Sequence, residues 1–446
     1  MKHTDIAVVG GSAAGITAAI TARRHYPEKK QLLIRKEEQV LIPCGIPYIF
    51  GTVGGPEKNL IPDEVLAKNG IELVIDEVTE VDREKGEVKT AGGETIAYDR
   101  LILATGSLPA MPPVPGFQLS NVFPVFKDVA QLRSMQKALK EVSDLVIIGG
   151  GFIGVEFADE CKKALQANVS IVEMLPHCLM LAYDEEFCAQ AEQLLDSRGI
   201  TPITDTKVAR VMGEDRVEGV ELAGGRTLWA QAVIVGIGAI ANVNLAKNAG
   251  LPIGPTGGIV VDRTMRTLDA RIFACGDCAE KFSFFGGRPS PLKLASIATA
   301  EARIAGANLF GTRRENIGTV GVWSTVIGET AFATAGLTES LAARHGYNYV
   351  VGAAEAINRH PGGMPGAHPM KVKLVFEKHN AMILGGQVMG DKAAGEVINA
   401  ISACVQRRMT AEDIAMFQTG THPALTASPI SYQFVNAAEA AIAALR

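Results

Sequence analysis

The sequence predicts an α/β chain: two βαβ units, each opening on a glycine turn of phosphate-binding type, followed by a tail of α+β character. Two observations carry this. The order apolar strand, glycine turn, small-residue helix, second strand occurs once from Ile6 and again from Leu145. Beyond Asn316 that turn does not recur, although strand-like and helix-like stretches continue.

In the first unit, Ile6 to Val9 reads as a strand and Gly10-Gly11-Ser12-Ala13-Ala14-Gly15 as the turn. An Ala- and Ile-rich helix runs to about Arg24, and Leu32 to Arg35 is the second strand. Gly10 permits the tight turn and Gly15 lets helix and strand approach, so backbone N–H groups at the helix start face a pyrophosphate. Ser12 stands where a middle glycine usually lets the ligand approach, and it is small enough to serve. The second strand ends in Arg35 rather than an acid. Glu37 and Glu38 are the acidic candidates for a ribose contact, and Lys36 is the candidate for a different one.

The second unit carries a full G-x-G-x-x-G: Gly149, Gly151 and Gly154. Its strands are Leu145 to Ile148 and Val169 to Glu173, with a helix from Val155 to about Leu165 between them. Glu173 closes the second strand, where an acid binds a ribose 2′-hydroxyl and repels a 2′-phosphate, which favours NADH over NADPH. The alternative is a structural strand-end glutamate. Between the units, Arg100 to Leu103 is a strand leading into Ala104-Thr105-Gly106, and Pro109 to Pro115 reads as a linker.

Farther on, Ala232 to Val235 is a strand, and IFACGDCAE is a strand ending in Gly276-Asp277. A helix spans about Leu292 to Leu309. In the tail, Gly318 to Phe332, Met370 to Phe376 and Leu384 to Met389 read as strands, with helices over Ala393 to Arg408 and Ala411 to Phe417.

Composition excludes several classes. The 446 residues carry a formal charge of −5 and no long basic run, so nucleic acid is not an expected partner. Seven scattered cysteines are no disulfide framework and fit a reducing cytosol. The N-terminal apolar run leads into a double glycine and a helix with Arg23 and Arg24, which reads as strand and helix rather than a secretion signal. The uncharged run from Thr227 to Ala246 contains Gln231, Gly236, Gly238, Asn242 and Asn244, and reads as a buried strand and turn rather than a membrane span. Cys275 and Cys278 have C-x-x-C spacing, but zinc needs two more ligands, so a packing role is favoured.

The ordered set VVGGSAAG, LILATGS, VIIGGGFIGVE and IFACGDCAE resembles the pyridine nucleotide–disulfide oxidoreductases, flavoproteins with two dinucleotide sites. The resemblance covers essentially the whole chain. It implies FAD on the first turn (Gly10, Ser12, Gly15), with Thr105-Gly106 returning beside it and Asp277 against the ribityl chain. It implies NAD(P)H on the second turn (Gly149, Gly151, Gly154), with Glu156 at the nicotinamide–flavin junction. It also implies an FAD-binding domain over residues 1–115 and 244–318, split around an NAD(P)H-binding domain at 116–243. An α+β dimerisation domain follows at 319–446, in a homodimer.

The stretch LIPCGIPYIF holds one cysteine, Cys44, with Pro47 and Ile49 where a second would pair with it. Pro43 before it and Gly45-Ile46-Pro47 after it suggest a rigid turn at a helix start, where N–H groups lower a thiol pKa. The alternative is a buried, inert thiol. PCGIPY resembles the single-cysteine branch: coenzyme A-disulfide reductases, NADH oxidases and peroxidases, and NADH-dependent sulfur or polysulfide reductases. The resemblance implies that electrons pass from NADH through FAD to an oxidised Cys44 species: a mixed disulfide, persulfide or sulfenate.

Three departures narrow this. Peroxidase and oxidase members carry a histidine in the first turn, where this chain reads Ser12-Ala13-Ala14. Coenzyme A-disulfide reductases carry tyrosines in two C-terminal stretches, here His360 to Pro369 and Thr421 to Pro429, and neither has one. No rhodanese-like domain is expected, since no stretch of these residues reads as one. His422-Pro423 resembles the His-Pro that two-cysteine relatives present from the partner subunit as acid–base catalyst, although Ala427 stands in place of the supporting glutamate. His360 and His368 are weaker candidates for the site entrance.

The resulting expectation is a cytoplasmic, FAD-dependent enzyme that reduces a small disulfide, persulfide or polysulfide with NADH through Cys44. One alternative is an NADH oxidase acting on oxygen. The other is a slow-turnover, redox-sensing flavoprotein.

Overall fold

In the computed structural model, which describes residues 2–445, the first βαβ unit is the strand Lys2–Val9, the helix Ala13–His25 and the strand Gln31–Arg35. The two strands are parallel, with Ile6 opposite Gln31 and Val9 opposite Ile34. Glu72–Ile75 extends the sheet beside Gln31–Arg35, and Thr95–Leu103 lies on the other side of Lys2–Val9. The last residues of Thr95–Leu103 also pair in parallel with Ile272–Ala274. Ile6, Leu33, Leu101, Ile102 and Ile272 are fully buried, as expected of strands covered on both faces. The helices Ala13–His25 and Ala295–Asn308 pack closely: a Cβ on Gly306 would lie 2.5 Å from Ala18 O.

The chain divides into two units. One holds the chain up to Pro113, Asn121–Val142 and Ile234–Thr319; the other holds Val114–Ser120, Ser143–Val233 and the chain from Val320 onward.

In the second unit the strands Asp144–Ile148, Asn168–Val172 and Ile200–Ile203 are parallel neighbours. The helix Phe152–Ala164 follows the first of them, and the helix Glu185–Ser197 precedes the third. The tail forms a five-stranded antiparallel sheet in the order Val322–Ile327, Thr330–Gly336, Ile383–Gly390, Pro369–Glu377, Tyr349–Ile357. The C-terminal helix Gln433–Leu445 lies so close to this sheet that a Cβ on Gly352 would sit 1.9 Å from Ala437 O.

Two sequence expectations need correction. Gly318 to Phe332 is not one strand: Gly328, at φ +60, turns it into a hairpin with Ile327 opposite Thr330. The run Thr227 to Ala246 holds the expected buried strand, Ala232–Val235, but two further short strands flank it, Thr227–Trp229 and Ala239–Ala241, on which Trp229 and Ile240 are exposed. Among the described residues no helix is long and apolar enough to cross a membrane.

Candidate active site

The first glycine turn is shaped by what it excludes. Gly10 has φ +111, and a Cβ on it would lie 2.1 Å from Ala104 O; one on Gly15 would lie 1.9 Å from Gly10 O. Ser12 is the N-cap of Ala13–His25, and its side chain makes no capping bond. The turn fits a dinucleotide pyrophosphate: it brings the N-terminus of Ala13–His25 to the end of Lys2–Val9 with glycine at both positions where a side chain would strike backbone.

Arg35 lies buried beneath the turn, with its Cδ 2.4 Å from where a Cβ on Gly11 would be. Its guanidinium donates to both Asp63 oxygens at 2.6 and 2.8 Å and to the carbonyls of Glu37 and Glu38. This bidentate lock has no counterpart in a sequence reading that looked for an acid. Lys36 is exposed and pairs with Glu77 at 3.6 Å.

Thr105 and Gly106 are strapped to Asn242. The Thr105 hydroxyl donates to Asn242 O at 2.6 Å, and Asn242 N–H donates to Gly106 O at 2.9 Å. Next in the chain, Ser107 Oγ donates to Asp277 Oδ2 at 2.7 Å, and Lys127 Nζ reaches the same oxygen at 3.4 Å. Asp277 sits in a one-turn 3₁₀ segment, Gly276–Cys278. Cys275 and Cys278 flank it, wholly buried, and the Cys278 thiol donates to Leu103 O and Cys275 O.

Cys44 is exposed, while the other six cysteines are buried. The expectation of a helix start is corrected here. Pro43 and Pro47 divide the stretch into two three-residue 3₁₀ turns, Pro43–Gly45 and Pro47–Ile49, so Cys44 lies in a 3₁₀ turn and does not open an α-helix. The rigidity comes from Asn59, which sequence reasoning missed. It is buried, donates from Nδ2 to Ile42 O at 2.9 Å, and holds its Oδ1 2.0 Å from where a Cβ on Gly45 would be.

In the second unit, Gly149 has φ +104, and a Cβ on Gly154 would lie 1.8 Å from Gly149 O. Gly151, by contrast, faces open space. Glu173 is buried, accepting Gly150 N–H at 2.6 Å and Leu175 N–H at 2.8 Å, so its carboxylate also braces the turn. Glu156 accepts the Thr325 hydroxyl at 3.0 Å. Burial pushes its carboxyl up to about 7, with Thr325 pulling down and Glu160 adding to the rise.

The two C-terminal stretches meet. His360 N–H donates to Pro423 O at 3.2 Å, and His360 Nδ1 lies 3.0 Å from Thr426 O. His422 is exposed, and its Nδ1 accepts Ala424 N–H at 3.2 Å, which leaves the ring proton of the neutral form on Nε2. Ala427 is buried, and His368 is exposed.

The family model described as pyridine nucleotide-disulphide oxidoreductase matches residues 4–302, and that of the same family's dimerisation domain matches residues 322–430. The chain is similar to an NAD(P)H coenzyme A polysulfide/persulfide reductase of Pyrococcus horikoshii, 32% identical over 86% of this chain and 87% of that one. It is also similar to an NADH oxidase of Methanocaldococcus jannaschii, 28% identical over 92% of each chain. Among solved structures, the NAD-dependent persulfide reductase from A. fulgidus superposes with a TM-score of 0.91 at 28% identity, covering 98% of this chain and 83% of that one.

Proposed function

This chain belongs to the pyridine nucleotide-disulphide oxidoreductase family, and on that premise we propose that it reduces a small disulfide, persulfide or polysulfide through Cys44. It is an oxidoreductase that binds FAD and NAD(P)H on two Rossmann-like domains and carries a distinct C-terminal dimerisation domain. In our reading the FAD domain comprises residues 1–115 and 244–318, the NAD(P)H domain 116–243 and the dimerisation domain 319–446, in a cytoplasmic homodimer.

The observation that carries the reading is the exposure of Cys44 on a turn clasped by buried Asn59, while the other six cysteines are withdrawn from solvent. A thiolate there attacks one sulfur of an acceptor RS–SR′. A Cys44–SR bond forms, the S–S bond breaks, and R′S⁻ leaves. The Nε2 proton of His422 from the other protomer is the proposed donor to that leaving sulfur. When bound, FAD relays the two electrons of NAD(P)H to the mixed disulfide. Cleavage of that bond returns Cys44 to thiolate and releases RS⁻, so the sum is RS–SR′ + NAD(P)H + H⁺ → RSH + R′SH + NAD(P)⁺.

NADH is the proposed donor, because Glu173 offers only acceptor oxygens at the strand end, and two backbone N–H groups already hold them there. Oxygen reduction is the second reading, and similarity to an NADH oxidase supports it. Ser12-Ala13-Ala14 places no base in the first turn, which weighs toward sulfur.

Cys44→Ser tests the proposal. It should keep its bound flavin and the bleaching of that flavin by NADH, and lose at least about a hundredfold in thiol or sulfide release. Undiminished release would remove Cys44 from the mechanism. Oxygen uptake matching NADH consumption, with no acceptor turnover, would favour the oxidase reading. Very slow reoxidation by every small acceptor would favour a redox-sensing role.

A further inference from the structure

Behind Asp277 lies an ion pair that the proposed mechanism does not use. Lys281 and Glu301 are buried, 3% and 1% exposed. Lys281 Nζ lies 3.2 Å from Glu301 Oε2 and donates to Gly276 O at 2.6 Å and Ala279 O at 3.1 Å. Glu301 Oε2 also accepts Gly276 N–H at 2.9 Å. One charged pair therefore holds both the N–H and the C=O of the residue just before Asp277.

The same residue is pressed from the other side. Gly276 has φ +81, and a Cβ on it would lie 2.7 Å from the Cβ of Ala14, in the helix that opens on the first glycine turn. Glu301 comes from Ala295–Asn308, the helix packed against Ala13–His25. The turn bearing Asp277, the phosphate-type turn and the ion pair thus form one packed block.

A pair this dry is a poor source of stability. Desolvating two charges costs about as much as their attraction returns, and apolar side chains of similar volume commonly do as well or better. Glu301 shows the strain of the arrangement. Its Oε1 has no hydrogen-bond partner, and burial pushes its carboxyl up to about 7 against the opposing pull of Lys281 and Gly276 N–H. In some proteins such a pair serves orientation rather than stability.

We propose that Lys281 and Glu301 are positioning residues for FAD, fixing the Gly276 peptide so that the Asp277 carboxylate is presented to the ribityl chain. The proposal rests on the reading of Asp277 as a flavin contact. It assigns the pair no contact with the flavin itself.

The test is FAD titration of the apoprotein, followed by flavin fluorescence, with apoprotein Tm and the visible spectrum of the reconstituted enzyme as companion readouts. Four proteins are compared: wild type, Asp277→Asn, Glu301→Gln, and the double variant Lys281→Met with Glu301→Leu. The double variant should match or exceed the wild-type apoprotein Tm, bind FAD at least about tenfold more weakly and shift the flavin bands. Glu301→Gln keeps the side-chain shape, should weaken FAD in the same direction, and carries the test if the double variant does not fold. Unchanged FAD affinity and spectrum in the folded pair variants, with weakened binding in Asp277→Asn, would overturn the positioning role alone. Unchanged affinity in Asp277→Asn with weakened pair variants would overturn the reading of Asp277 on which the proposal rests.

Discussion

The Thr325 hydroxyl donates to Glu156 Oε1 at 3.0 Å, joining the helix of the second glycine turn to the first strand of the C-terminal sheet. The same helix and strand also meet through Phe152 and Trp323, whose rings lie edge-on at 5.3 Å between centroids. Glu156 is a largely buried carboxyl with one hydroxyl donor, and its titration reports on that burial.

The pH dependence follows from the direction of its shift. Burial raises the Glu156 carboxyl from 4.5 to about 7 in the folded protein, so folding favours its protonated form. Its contribution to stability is fully present below about pH 4.5 and is lost as pH rises through about 7. Glu156→Gln should hold Tm more nearly level between pH 5 and 8 than wild type does. Parallel curves for the two proteins would show that Glu156 does not titrate in that window.

The opposite sign applies at Asp184. Burial alone would raise its carboxyl, but the hydroxyl and N–H of Ser340 and the ammonium of Lys373 outweigh burial and bring it down to about 2. The stability it contributes is present above about pH 3.8 and is lost as pH falls toward 2. Lys373 also binds Glu186 at 2.6 Å and Glu339 at 2.8 Å. Lys373→Met, by leaving Asp184 buried without its cation, should cost about 3 kcal/mol in denaturant unfolding at neutral pH. A loss under about 0.5 kcal/mol would mean that Ser340, together with the Gln387 Nε2–H that donates to Asp184 Oδ2 at 2.5 Å, suffices to hold the carboxylate.

Two glycines of one turn should respond differently to alanine. At Gly154 the added Cβ meets Gly149 O at 1.8 Å, so Gly154→Ala should destabilise by about 1–3 kcal/mol. At Gly151 the Cβ meets nothing within 4 Å, so Gly151→Ala should leave Tm nearly unchanged while raising the Kd for NADH about tenfold or more. Unaltered NADH binding in Gly151→Ala would place the pyrophosphate elsewhere.

Donor choice is tested at Glu173. Removing its charge in Glu173→Gln should lower the ratio of kcat/KM for NADH over NADPH by at least about tenfold. Because its carboxylate also braces Gly150 and Leu175, some loss with both donors is expected. An unchanged ratio would restrict Glu173 to that bracing.

Much of this was legible because glycine turns advertise their geometry. Gly10, Gly15, Gly149 and Gly154 stand where a side chain would strike backbone, and a sequence shows such positions directly. The same logic misled at Cys44: the prolines that mark a helix start elsewhere here bound two short 3₁₀ turns. What stayed hidden is long-range. Asn59 beneath Gly45, Asp63 on Arg35, Thr325 on Glu156 and Glu301 against Lys281 are ordinary polar residues in their local sequence. They matter only through partners that folding brings to them. The strand end at Arg35 shows the limit of reading locally: the sequence shows an arginine in place of a ribose acid, but not that its buried guanidinium organises the loop after it.

The pairing of Ile272–Ala274 with Thr95–Leu103 has a consequence for how the molecule is made. Ser107 and Asp277, bonded in the finished protein, are separated by 170 residues. A ribosome needs on the order of ten to thirty seconds to lay down that interval. Through it the nascent chain carries an unfinished sheet, with the backbone of Leu101–Leu103 open to any strand that arrives first. The later strand Ile272–Ala274 must reach this edge before a competing strand does for the sheet to close as it stands.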